Sequence, residues 1–182
     1  MGFIWGKLFN REFLIRNNLL LNDNLTAAED AEFMLRTAFY ADKVGFVAKS
    51  LYNYLHNTVS AVRSFRTDYV ERYRKSLSVM YDFLVDNGLS KHLVTYDNCV
   101  LYHLLLIVVN YSFNPARKDT KKEQTAAFKK LVKDPFFTNA MKSLRLKDFS
   151  MTRKITLICI KLKMYRMVRL IALFRQKQTG TS

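Results

Sequence analysis

Cysteine and histidine are scarce in this chain, and no uninterrupted apolar run is long. Two cysteines occur in 182 residues, Cys99 and Cys159, each within an apolar helical pattern. They read as buried thiols in a reducing compartment, which excludes a disulfide framework as the basis of the fold. The three histidines, His56, His92 and His103, are too scattered for a zinc-ligand spacing. The most apolar stretch, Cys99 to Val109, is eleven residues long and interrupted by His103. A membrane span needs about 20 residues, so a buried core helix is expected there. Met1-Gly2-Phe3-Ile4-Trp5 lacks the charged start and sustained apolar run of a secretory signal. Glycine at position 6 also departs from the myristoylation pattern. No helix-turn-helix glycine pattern, RNP-like aromatic motif or zinc spacing is found, so no nucleic-acid partner is expected.

What the chain does have is apolar content and positive charge. Hydrophobic residues make up 49% and charged residues 25%, a balance that folds and does not stay disordered. The length suits one domain with a core, or a small domain with a helical appendage. The net charge of +15 is unevenly placed. Residues 1–62 hold six basic and six acidic side chains, whereas residues 63–182 hold twenty-four and nine. A neutral segment therefore precedes one that seeks anions.

Organisation centres on Asn24-Leu25-Thr26-Ala27-Ala28-Glu29-Asp30-Ala31-Glu32-Phe33. Thr26 stands where an N-cap belongs and Glu29 follows at capping-box spacing, which predicts a helix from Thr26 to about Ala41. Phe33, Met34, Thr37, Ala38 and Ala41 recur on one face, and Asp30 shares it. Glu32 and Arg36 are expected to pair at i, i+4 on the outer side. Asp30 has two readings: it favours the positive end of the helix dipole, or it faces a cleft and accepts a proton. Spacing by itself favours the dipole.

Around this helix, Arg11–Ile15 reads as a short helix ended by Asn17 and Asn18, and Asn22-Asp23-Asn24 as a turn. Lys43–Ala48 and Ser50–Leu55 read as strands. From Asp68 the period is helical, with Tyr69, Tyr73, Leu77, Met80 and Leu84 on one face and a C-cap at Asn87-Gly88. Further helices are expected over 91–113 (ended by Pro115), over 118–133, from Asp134-Pro135, and over 150–177. In the last, Leu157, Ile160, Met164, Met167, Val168, Ile171 and Phe174 form a stripe. Residues 142–177 hold eleven basic side chains against the single acid Asp148. An apolar stripe in a basic remainder suits an anionic membrane surface, and equally a helix packed on its neighbours with solvated charges.

The segment Trp5-Gly6-Lys7-Leu8-Phe9-Asn10-Arg11, the Glu29-Asp30 pair opening a helix, and Leu51-Tyr52-Asn53-Tyr54 followed by Ser60 together resemble the family-2 glycosyltransferases of GT-A fold. The closest likeness is to bacterial enzymes that build capsule, lipopolysaccharide or exopolysaccharide. The resemblance covers about residues 3–63 and matches only the back half of that catalytic domain. The nucleotide-binding strands and the D-x-D metal motif have no counterpart. It implies an α/β fragment over residues 1–63, the C-terminal part of a GT-A domain, followed by a mostly α-helical basic region over 64–182. It implies Asp30 as catalytic base with Glu29 as its positioning neighbour. Trp5, Lys7, Tyr52 and Ser60 would lie on the acceptor side, and His56 would be a metal ligand or phosphate contact.

The complete enzyme would use a divalent cation, Mg or Mn, to move a sugar from a nucleotide sugar to a polysaccharide or lipid-linked acceptor. It would sit in the cytoplasm against the inner face of the cell membrane. This polypeptide alone is expected to be inactive. The competing expectation is a non-enzymatic, basic helical module that binds membrane or nucleic acid.

Overall fold

The computed structural model describes residues 3–53, 55 and 65–178. Eight α-helices are found among them: α1 (Arg11–Arg16), α2 (Glu29–Tyr40), α3 (Tyr69–Asp86), α4 (Leu93–Ile107), α5 (Lys121–Lys133), α6 (Pro135–Lys142), α7 (Met151–Lys161) and α8 (Tyr165–Gln178). No strand occurs among the described residues, so the expected α/β fragment gives way to an all-helical chain. Residues 43–48 and 50–53 are free of regular structure, and Val44 and Phe46 are 89% and 92% exposed. Their composition suits a pleated, half-buried surface, but a strand exists only through ladder bonds and packing supplied by a neighbour. Among the described residues no ladder partner is supplied to these segments.

The chain divides into two compact units, Met1–His56 with Glu71–Leu89, and Asn57–Val70 with Ser90–Ser182. In the first, Asn10 caps α1 by accepting from the Phe13 N–H at 3.0 Å. The helix ends with Asn18 at φ 49° and Leu19 N–H bonded to the Leu14 carbonyl at 2.9 Å. That closure satisfies a terminal carbonyl and carries Leu19 into the core. On α3, Tyr73, Leu77, Met80 and Leu84 are buried, as their spacing predicts, and Gly88 at φ 67° makes the same closure, with Leu89 N–H on the Leu84 carbonyl at 2.8 Å.

The start of α2 differs from expectation. Its N-cap is Ala28, in the left-handed region at φ 54° and without a side-chain cap bond. Thr26 is drawn into tertiary bonds instead. Arg72 Nε donates to its hydroxyl at 2.6 Å, the same guanidinium donates to its carbonyl, and the Ser76 hydroxyl donates to the Ala27 carbonyl. The Glu32–Arg36 pair forms, but inward and not on the outer side: Glu32 is 3% exposed. Arg36 grips both its oxygens at 2.6 and 2.9 Å and reaches the Leu20 carbonyl at 2.6 Å. A buried carboxylate needs such a fork, because each unpaired oxygen would carry a desolvation cost.

The second unit is built on α4, which packs on α6 and α7, and whose Val100, Leu101, Leu104, Leu105 and Ile107 are buried as expected. His103 lies among them, its ring nitrogen 2.8 Å from the Cys99 carbonyl, and burial lowers its pKa. Burial pushes the Cys99 thiol up to about 11; it and Cys159 are free cysteines. A π turn over Val108–Ser112 ends the helix. Gln176 of α8 donates to the carbonyls of Val109 and Phe113 at 2.6 and 2.8 Å, supplying partners where the helical ladder changes register.

Thr120 and Glu123 form a reciprocal capping box on α5, and Asp134 caps α6 with Pro135 in its first turn. Phe113, Phe128 and Phe137 fill the core of this unit. The long final helix expected over 150–177 is in fact two. Lys163 stands at φ 59° between α7 and α8, with Met164 N–H on the Cys159 carbonyl at 2.8 Å.

Candidate functional site

Two stretches that lie far apart in sequence meet in the first unit. Trp5 stacks on Tyr52 with ring centroids 5.6 Å apart, and Phe3 stacks on Trp5 at 4.9 Å. The approach depends on Gly6, whose φ of 69° turns the chain between Trp5 and Lys7. A Cβ there would stand 3.9 Å from the Cβ of Tyr52. The Lys7 ammonium folds back onto the Phe3 carbonyl. Trp5 is 42% and Tyr52 50% exposed, so these side chains are partly open to solvent and do not anchor a core. Phe9, just beyond, packs edge-on against Phe33 of α2 at 5.6 Å.

These residues border an open cleft of about 1730 Å³. Its walls are formed by residues of the 4–16 segment, the 42–52 segment, Met34, Thr37 and Ala38 of α2, and Ala41 just after it. Asp30 and Glu29 are not part of the wall. Asp30 stands on the same helical stripe one turn before Met34, about 5–6 Å along the axis. Its Oδ1 accepts the Ala31 N–H at 2.8 Å. Burial raises its pKa above the usual carboxylate value, against the lowering effect of that bond; Glu29 adds to the rise and Lys7 opposes it. Lys7 therefore acts electrostatically on Asp30 while belonging to the aromatic stack.

No protein-family profile, curated protein or solved structure matches this chain.

Trp5, Lys7 and Tyr52 thus come together, and Asp30, at the head of α2, is linked to them through the charge of Lys7. His56 and Ser60 lie outside the described residues. Among the described residues no three His, Cys, Asp or Glu side chains gather to hold a metal. Sequence reasoning missed Arg72 and Ser76. Their i, i+4 spacing places them on one face of α3, but nothing local connects that face to the turn before α2. Phe3, third ring of the stack, was also missed; its position two residues before Trp5 was the only available signal.

Proposed function

We propose that the first unit is the acceptor side of a family-2-type glycosyltransferase, and that turnover requires a nucleotide-binding portion supplied by further polypeptide. The observation that carries this reading is the Trp5–Tyr52 stack with Lys7 beside it, whose charge reaches Asp30. Partly exposed aromatic side chains suit the C–H groups of a sugar ring, and an ammonium suits a hydroxyl or phosphate. In the reaction, an acceptor hydroxyl oxygen bonds to the anomeric carbon of the donor as the bond to the diphosphate oxygen breaks. The diphosphate leaves with the electron pair, and Asp30 takes the hydroxyl proton. A carboxylate with a raised pKa is better matched to that transfer than an ordinary one.

Two further features support the reading. Ala28 adopts a strained conformation immediately before Glu29-Asp30, held there by Arg72 and Ser76, and strain of this kind gathers at working sites. Leu8, Val44 and Phe46 are almost fully exposed, an apolar surface that additional polypeptide would cover.

Trp5 is the single tryptophan, so its fluorescence reports on the stack directly. Titration with an acceptor-type oligosaccharide or its lipid-diphosphate form should change the emission, and Tyr52→Ala should abolish the change. Calorimetry with nucleotide sugars should show no binding to the 182 residues alone. In a preparation complemented with a nucleotide-binding half, Asp30→Asn should retain the fluorescence response and lose about 10²–10⁴-fold in turnover. Micromolar nucleotide-sugar binding by the isolated chain would refute the requirement for a second portion. A Trp5 signal indifferent to every saccharide would remove the acceptor role.

A further inference from the structure

On α7, one face is buried by Thr156, Leu157 and Ile160, and the opposite face is apolar as well. Met151, Ile155, Ile158 and Leu162 recur at i, i+4, i+7 and i+11, a single row along the helix, and all four are exposed. Lys154 and Lys161 border the row. The pattern repeats on α8. Val168, Ala172 and Gln176 are buried, and Met167, Leu170 and Phe174 form an exposed row on the other side, with Arg166 and Lys177 along its edge. Leu162 and Met164, in the turn that joins the helices, are exposed too. The stripe legible in the sequence mixed these two surfaces: Leu157, Ile160 and Val168 face the core, whereas Met164, Met167 and Phe174 face out.

Between residues 151 and 178 there are eight basic side chains and no acidic one. Arg153 is engaged with the Tyr102 ring, 4.7 Å from its centroid. Lys161, Lys163, Arg166 and Lys177 are exposed.

We propose that α7 and α8 dock on an anionic lipid surface, their outer apolar rows entering the headgroup boundary and the bordering lysines and arginines meeting lipid phosphates. Charge complementarity selects the partner. An apolar row bordered by cations, with no acid between residues 151 and 178, matches a layer that is greasy beneath a negative surface. The outer rows are aliphatic but for Phe174, so they lack the stacking platform that single-stranded nucleic acid uses. Duplex contacts need cations, but they give no reason for eight exposed apolar side chains. The proposal concerns the second unit and is independent of the sugar-transfer reading of the first.

The test is sedimentation of the full chain with extruded vesicles of phosphatidylcholine alone or of equimolar phosphatidylcholine and phosphatidylglycerol. Binding should appear with the anionic vesicles, weaken as salt is raised, and be at least about tenfold weaker on neutral ones. The double variant Ile155→Asp/Leu170→Asp should lose at least about tenfold in binding to anionic vesicles with its thermal melt unchanged, because both positions are exposed. If that variant unfolds, Met151→Ser/Leu170→Ser supplies the same comparison with a smaller loss. Lys161→Gln/Arg166→Gln should bind more weakly and with a shallower salt dependence. Undiminished binding by a folded apolar-row variant overturns the proposal. So does binding to a DNA duplex without binding to anionic vesicles, or no sedimentation with either vesicle.

Discussion

At Asp30 burial competes with the Ala31 N–H and the Lys7 ammonium, and burial prevails, so the carboxyl holds its proton to a higher pH than a free aspartate. The folded state therefore favours the protonated form. Stability from this group is fully present below the unfolded carboxylate value of about 3.9 and is lost as pH rises through the raised one. Asp30→Asn keeps an oxygen for the Ala31 N–H and removes the charge. It should be at least as stable as the parent at neutral pH, and the advantage should fade as pH falls towards about 4. Urea melts across that range check the sign. An Asn variant clearly less stable at neutral pH would return Asp30 to the dipole role that its spacing first suggested.

Among elements, the α7–α8 break is the most instructive, because the closure that forms it recurs at three helix ends. Asn18, Gly88 and Lys163 each occupy the left-handed position after α1, α3 and α7. Asn and Gly tolerate that conformation and were legible as stops; a lysine there pays a steric penalty of about 1–2 kcal/mol and carries no sequence signal. The helical period runs on through Lys163, so a single long helix was the natural reading. Lys163→Gly should relieve that strain and, after the larger chain entropy of glycine, stabilise by about 0.5–1 kcal/mol, measurable as a raised denaturation midpoint. The start of α2 illustrates the converse. Thr26 and Glu29 had the spacing of a capping box, but Arg72 and Ser76 engage Thr26 and Ala27 first. Thr120 and Glu123, with no such competitor, form the box.

Over the whole molecule, burial is uneven. The second unit holds the fully buried Phe113, Phe128, Phe137, Leu101, Leu104 and Leu157, whereas residues 42–53 of the first are exposed and without regular structure. Protection from hydrogen exchange follows burial and secondary-structure bonding. Amides from Leu101 to Ile107 should be among the slowest to exchange and those of 42–53 among the fastest, as mass spectrometry of native-state exchange would show. Slow exchange over 43–53 would mean that this segment finds ladder partners after all. The sequence alone determined the helices from α3 to α6 within a few residues, the buried face of α3, the buried α4 and the break before α6, because each follows from local period, caps and turn residues. Tertiary structure decided the rest. Whether 43–53 became a strand depended on a neighbour, the seat of Glu32 on a fork closed by Arg36 and Leu20, and the outer rows of α7 and α8 on which side the core took. Each is a choice between partners distant in the chain, and spacing within a segment carries no information about them.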